Sequence, residues 1–390
     1  MSIARRGETA MMTNYPPRPL VLVRGEGCWV WDDTGKRYLD LVGGIAVNTL
    51  GHGHTAPIVA LAEQAAVLDH VSNLYWSEPA IALAERLEAL SGMEQAFFCN
   101  SGAEANEAAI KLARRHGREV GGADKHEIVC LEGAFHGRTL GALQATWAQS
   151  KKQPFEPLPA GFLHVPRNDI AALRASVGPN TAGVLIEPIQ GEGGVNILDE
   201  AFLSEARAVC DLHDALLLFD EVQTGIGRCG AWFAFQRTEV QPDAIMLAKG
   251  LASGLPIGAL LSKRLATGFQ PGDHGTTFGG SGPIAAAALA TIDVVEQQDL
   301  IGNAERIGAR LVEGLSALPG VAEVRGAGLL LAVELVAGGA TQRVGALRTA
   351  GVLVNDVTES ALRLCPPLVI SAAEAEIAIT AFRTVLSEQG

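Results

Sequence analysis

Apolar and polar positions alternate along this chain in blocks, and the block lengths predict most of its elements. Short apolar runs at 96–99, 127–131, 183–187, 215–219, 244–248 and 257–262 read as buried strands. Amphipathic stretches lie between them. In 200–213, Phe202, Leu203, Ala206, Val209 and Cys210 share one helical face, and Leu83, Leu87 and Leu90 recur at helical spacing. Strands alternating with helices predict an α/β fold on a mainly parallel sheet. Upstream, from Val21 to Asp40, short apolar runs broken by Gly25, Gly27 and Gly35 predict small strands and hairpins. After about residue 295 the pattern changes. A helix over Ala304–Leu318, strands over Gly328–Leu335 and Gly351–Val354, and a last helix over 372–387 predict a smaller α+β unit. Residues 1–13 read as a loose tail, with Met11 and Met12 as alternative starts to Met1.

Chemistry-bearing residues gather where these strands end. The run Leu216–Phe219 ends in Asp220, and the run Ala244–Ala248 ends in Lys249. A carboxylate and a lysine at two strand exits suit a pyridoxal phosphate enzyme. The lysine forms a Schiff base with the aldehyde, and the aspartate keeps the pyridine nitrogen protonated. Asn100-Ser101-Gly102-Ala103-Glu104 has capping-box spacing at Ser101 and Glu104 ahead of an Ala-rich helix, a ready phosphate seat. Phe135-His136-Gly137-Arg138 follows another strand and offers a ring cover and a fork for a carboxylate. Gly275-Thr276-Thr277-Phe278 offers hydroxyls. Taken singly, each has an ordinary structural explanation: a surface lysine, a capped helix, a loop arginine, a Gly-rich turn.

Composition narrows the field. A net charge of −13 disfavours nonspecific binding to nucleic acid or anionic lipid. The 48% hydrophobic content supports a large core, yet no stretch approaches the length of a membrane helix. Six cysteines are widely spread, several within apolar runs, and none has Cys-x-x-Cys spacing. That fits buried thiols in a reducing compartment, and with no secretory signal in view the expected location is the cytoplasm. The His52-x-His54 pair has no further ligands placed beside it, so a structural loop is favoured and no metal is expected. No Gly-x-Gly-x-x-Gly follows a strand, and Gly279–Pro283 is not a Gly-x-Ser-x-Gly elbow.

The order of the motifs carries more than any one of them. Ser-Gly-Ala (101–103), Phe-His-Gly-Arg-Thr (135–139), Glu-Pro-Ile-Gln-Gly-Glu-Gly-Gly (187–194), Asp-Glu-Val-Gln-Thr-Gly (220–225), Ala-Lys-Gly (248–250) and Thr-Thr-Phe-Gly-Gly (276–280) follow one another, preceded by Gly43-Gly44-Ile45-Ala46-Val47-Asn48. In this order they resemble the class-III pyridoxal-phosphate aminotransferases, most closely their acetylornithine branch, from about Asn14 to the last helix. The resemblance implies fold type I, a large cofactor domain over 56–290, and a small domain from both termini, 1–55 and 291–390. It also implies a homodimer. The implied reaction moves the terminal amino group of N2-acetyl-L-ornithine to 2-oxoglutarate. Other ω-amines (succinylornithine, N-succinyl-diaminopimelate, ornithine, 4-aminobutyrate) and a non-catalytic cofactor-binding relative are the alternatives.

Residue roles follow from the same resemblance. Lys249 is the Schiff-base lysine and Asp220 the pyridinium partner; Gln223 bonds the phenolic oxygen. Gly102 and Ala103 bind phosphate through backbone N–H groups with Ser101 in support, and Phe135 stacks on the ring. Thr277 resembles the threonine that reaches the phosphate from the partner subunit, and Thr276 the hydroxyl beside the substrate. Arg138 takes the carboxylate far from the reacting amine. Arg363 takes the α-carboxylate of glutamate, with Glu192 neutralising it otherwise. Ile45 stands where ornithine-specific relatives carry a tyrosine, and Tyr15 aligns with a second substrate-side tyrosine. Gly280-Ser281-Gly282-Pro283 departs from the Gly-Asn-Pro-Leu often found in relatives and leaves the local turn open.

Overall fold

The computed structural model describes residues 2–265 and 267–387, so the start at Met1 lies outside it. At the centre stand seven strands: β1 (Gln95–Cys99), β2 (Glu127–Leu131), β3 (Phe162–Val165), β4 (Thr181–Ile186), β5 (Leu216–Asp220), β6 (Ala244–Leu247) and β7 (Gly258–Ser262). They pair in the order β1-β7-β6-β5-β4-β2-β3. Only β7 runs antiparallel to its neighbours.

The continuous apolar runs are explained by burial on both faces. Along β5, Leu217 and Phe219 join one core with Val129, Leu131, Val184 and Ile186. Leu216 and Leu218 join another, with Ala105, Ala108, Ala109 and Leu112 of the helix Gly102–Gly121. All six predicted strands form. The edge strand β3 was not predicted, because Phe162 and His164 are only half-buried and Leu163 is exposed, leaving no apolar run to see. The helix Gly282–Gln297 also went unpredicted: it buries residues nearly all round, so it shows no amphipathic stripe. Its start settles the turn at 280–283. Gly280 takes φ +76°, Ser281 occupies the N-cap position without a side-chain bond, and Pro283 sits in the first turn, where a missing N–H costs nothing.

The smaller unit has a four-stranded antiparallel sheet ordered Val321–Ala327, Leu330–Leu335, Ala361–Leu364, Asn355–Asp356. Leu300–Ser316 and Ala372–Ser387 contribute apolar residues to its core, as do Leu39, Leu41 and Leu50. The predicted strand at 351–354 shrinks to Val352–Leu353, which pairs in parallel with Leu39 and Asp40. Residues 1–13 are not all loose tail: Ile3–Ala10 is a helix, capped by Ser2 but burying nothing. Among the described residues no helix is long and apolar enough to cross a membrane.

Candidate active site

Strand exits β1, β2, β4, β5 and β6 open into one cavity of about 460 Å³, the place where open α/β sheets present their sites. Its walls include Ser101, Gly102, Ala103, Phe135, Arg138, Glu187, Glu192, Asp220, Gln223 and Lys249. Nine of the expected site residues are therefore brought together.

Asp220, the last residue of β5, is buried and tightly held. Its Oδ2 accepts from His136 Nδ1 at 2.8 Å and Asn106 Nδ2 at 2.8 Å, and its Oδ1 from Val222 N–H at 3.0 Å. Asn106 lies one turn into the helix Gly102–Gly121, on its buried face. Sequence reading passed over both donors. The available signal was a polar Asn among buried alanines and a His inside the 135–139 motif.

Lys249 follows β6 with φ +36°, a left-handed backbone that a lysine adopts only under constraint. Loss of water around its amine, with Arg363 adding repulsion, holds it below the ordinary lysine range against the pull of Glu192, Asp220 and Glu187.

At the far side, Ser101 Oγ caps the helix by accepting from Glu104 N–H at 3.2 Å. The expected capping box closes differently: Glu104 reaches back to Asn100, accepting from its N–H at 2.6 Å and its Nδ2 at 2.9 Å. The N–H groups of Gly102 and Ala103 have no partner among the described residues and sit in the cavity wall. Unpaired N–H groups at the positive end of a helix form an anion seat. Gly102 is required for packing as well, since a Cβ there would stand 2.7 Å from Val222 Cγ1. Phe135 and Val222 both line the cavity.

The polar end is a network. Arg363, fully buried in Ala361–Leu364, donates through Nη1 to Glu192 Oε1 at 2.5 Å, Gln223 Oε1 at 3.1 Å and the Gly191 carbonyl at 3.3 Å. Burial opposes ionisation of Glu192, yet the Arg363 charge and hydrogen bond outweigh it and hold the carboxyl below the usual range. A Cβ at Gly191 would fall 1.8 Å from Gln223 Oε1, so any larger residue would push the Gln223 amide off Arg363. Glu187 is also buried. Its Oε1 accepts from Phe135 N–H at 2.8 Å and its Oε2 from Gly191 N–H at 3.4 Å. Burial, then the neighbouring Asp220 charge, push its carboxyl well above the usual carboxylate range. Arg138 is exposed at the mouth with its guanidinium 5.6 Å from the Phe135 ring centre, and it pairs with no carboxylate among the described residues.

Five expected residues do not line the cavity: Arg363, which stands behind Glu192 and Gln223 and bonds both, and four others. Tyr15 is 64% exposed, under the Arg18 guanidinium. Ile45 is half exposed with φ +66°, an outlier for a β-branched side chain. Thr276 Oγ1 accepts from Asn100 Nδ2 at 3.3 Å, and Thr277 is exposed beside Leu68–His70. His52 and His54 serve their loop: His52 Nε2 meets Asp40 Oδ2 at 2.8 Å, and His54 Nδ1 accepts from Ala56 N–H at 3.2 Å.

Known proteins resemble this chain over nearly its whole length. The Aminotransferase class-III family matches residues 10–386. An acetylornithine aminotransferase of Mycolicibacterium smegmatis is 49% identical over 391 residues, 99% of this chain and 98% of its own. Acetylornithine aminotransferase 1 of Bordetella pertussis is 48% identical over 380 residues, 94% of this chain and 95% of its own. The crystal structure of ornithine aminotransferase from Toxoplasma gondii superposes with a TM-score of 0.93 at 32% identity, covering 98% of this chain and 94% of that one.

Proposed function

The chain belongs to the class-III aminotransferases, enzymes of fold type I that use pyridoxal phosphate, and from that premise we propose that it transfers the terminal amino group of N2-acetyl-L-ornithine to 2-oxoglutarate. The products are N-acetyl-L-glutamate 5-semialdehyde and L-glutamate, in arginine biosynthesis. The observation that carries the reading is one cavity with a constrained lysine, a buried aspartate and an exposed arginine, backed by a buried second arginine bonded to the lining residues Glu192 and Gln223. Near-full-length similarity to acetylornithine aminotransferases supports the choice of amine.

The cavity fits the cofactor. Two unpaired N–H groups at Gly102 and Ala103 suit its phosphate, the slot beside Phe135 and Val222 suits a flat ring, and Asp220 suits the ring nitrogen. Pyridoxal phosphate supplies an aldehyde that takes up amines and a protonated ring that accepts the electrons freed when a substrate C–H bond breaks. Asp220 is held in place for that ring by His136 and Asn106, which both donate to it. Lys249 Nζ would hold the aldehyde of the bound cofactor, and the same nitrogen would move the proton at C5 of acetylornithine. Gln223 is placed to bond the phenolic oxygen.

Arg138 holds the α-carboxylate of acetylornithine, then the γ-carboxylate of 2-oxoglutarate. Arg363 is covered by Glu192 while the uncharged end of acetylornithine is present, and it receives the α-carboxylate of 2-oxoglutarate when Glu192 turns away. Ile45 and Tyr15 lie outside the cavity lining and are assigned to the acyl end by resemblance alone.

The working unit is a homodimer. Leu74, Tyr75, Trp76 and Phe278 are 80%, 73%, 90% and 63% exposed, and Asn73 Nδ2 ties this stretch to the Thr276 carbonyl at 2.9 Å. Apolar surface of that kind marks an interface. Across it, Thr277 reaches the partner's phosphate, and Thr276 stands beside the partner's substrate. Six buried thiols support a cytoplasmic location. The test is spectroscopic: acetylornithine bleaches the visible band of the bound cofactor, and 2-oxoglutarate restores it with one glutamate per turnover. A band untouched by acetylornithine but bleached by another ω-amine reassigns the donor.

A further inference from the structure

Glu187 is the one buried carboxyl of the cavity to which the proposed reaction gives no task. It follows β4 directly and lies five residues before Glu192, on the same segment. Its strongest bond leaves that segment: Oε1 accepts the Phe135 N–H at 2.8 Å, in the loop that carries Arg138. Its other oxygen closes the local turn on the Gly191 N–H at 3.4 Å, and the Gly191 carbonyl in turn accepts from Arg363 Nη1 at 3.3 Å. A continuous chain of bonds thus runs from the Arg138 loop through Glu187 to Arg363. The same loops are linked again by Gln190 Nε2 to the Glu132 carbonyl at 2.8 Å, but Glu132 and Gln190 lie outside the cavity lining.

We propose that Glu187 is a positioning residue that couples the two carboxylate sites, so that filling Arg138 changes how readily Arg363 is released from Glu192. The physical reason is that neither loop can shift alone. A carboxylate drawing Arg138 inward moves the backbone at Phe135, and the Phe135 N–H pulls on the segment that carries Glu192. A dicarboxylate of the right length then meets two sites set at a matched distance. Acetylornithine, with one carboxylate, uses only the first. This inference rests on the arginine roles proposed above.

The test is a double-substitution cycle on the holoenzyme, read as the equilibrium Kd of glutarate, an unreactive dicarboxylate, by titration calorimetry. Arg138→Lys weakens glutarate binding, Glu192→Ala tightens it, and their combined effect departs from the product of the two by about fivefold or more. In a Glu187→Ala background the departure falls to about unity. Glu187→Leu makes the same comparison without leaving a cavity. Glu187→Gln keeps the size and an acceptor for the Phe135 N–H, so it retains most of the coupling. A purely structural residue would lower Tm and leave the coupling intact. The proposal is overturned if the two substitutions multiply independently with Glu187 present, if the coupling survives Glu187→Ala and Glu187→Leu, or if Glu187→Gln loses it as fully as they do. If neither Arg138→Lys nor Glu192→Ala alters glutarate affinity at all, the arginine assignment itself fails and takes the coupling with it.

Discussion

The proposed reaction asks both Arg138 and Arg363 to hold a carboxylate, and the two are built in opposite ways. Arg138 sits in a loop after β2, exposed, against the Phe135 ring, with no carboxylate paired to it among the described residues. Arg363 sits in a strand, fully buried, with Glu192, Gln223 and a backbone carbonyl on one nitrogen. An exposed guanidinium can wait in water for its ligand at little cost. A buried one cannot, because an uncompensated charge in the interior is strongly destabilising. The difference matches the two proposed substrates: in the proposed cycle a carboxylate reaches the first site in both half-reactions and the second site in only one. A permanent seat suits the former and a covered seat the latter.

That contrast can be broken from the outside in. The largest effect is expected where both arginines become irrelevant. Lys249→Ala leaves the carboxylate sites in place but lowers turnover by about 10⁴-fold or more, with the far-UV circular dichroism of the fold kept. Substantial turnover in that variant would remove the lysine from the chemistry. Asp220→Asn comes next: it retains cofactor yet loses about a hundredfold or more in kcat, because an amide cannot stabilise a protonated ring nitrogen. Arg138→Lys raises KM for acetylornithine and 2-oxoglutarate alike by about tenfold, since an ammonium cannot reproduce the planar fork. A rise for one substrate only would mean the permanent seat is not shared. The smallest effect is ionic. Raising salt from about 0.05 to about 0.5 M weakens 2-oxoglutarate binding about threefold through the exposed Arg138, and Arg138→Gln removes most of that dependence.

How far the sequence reached differs between the same two regions. The loop site was legible, since Phe135, His136, Gly137 and Arg138 follow an apolar strand directly and their types announce ring and carboxylate binding. The strand of Arg363 was not: Ala361–Leu364 is four residues long with a charge inside it, and periodicity has nothing to grip. Only the order of motifs across the chain pointed to Arg363, and its burial and four acceptors are tertiary facts. His136, Asn106 and Glu187 were missed for a related reason. Each acts by a bond to a group far away in sequence, His136 and Asn106 to Asp220 and Glu187 to Phe135. The central sheet was the easiest part, because burial on both faces writes unbroken apolar runs.

The most direct measurement of the contrast is the single-turnover rate of each half-reaction in Glu192→Ala. With Glu192 gone, Arg363 stays uncovered and the pocket favours a carboxylate at its reacting end. The rate constant with acetylornithine should fall by about tenfold or more, because its uncharged end must then face an unpaired buried cation, while the rate with glutamate should hold or rise. Equal losses with acetylornithine and glutamate would contradict a covered seat and leave Glu192 as a structural partner of Arg363.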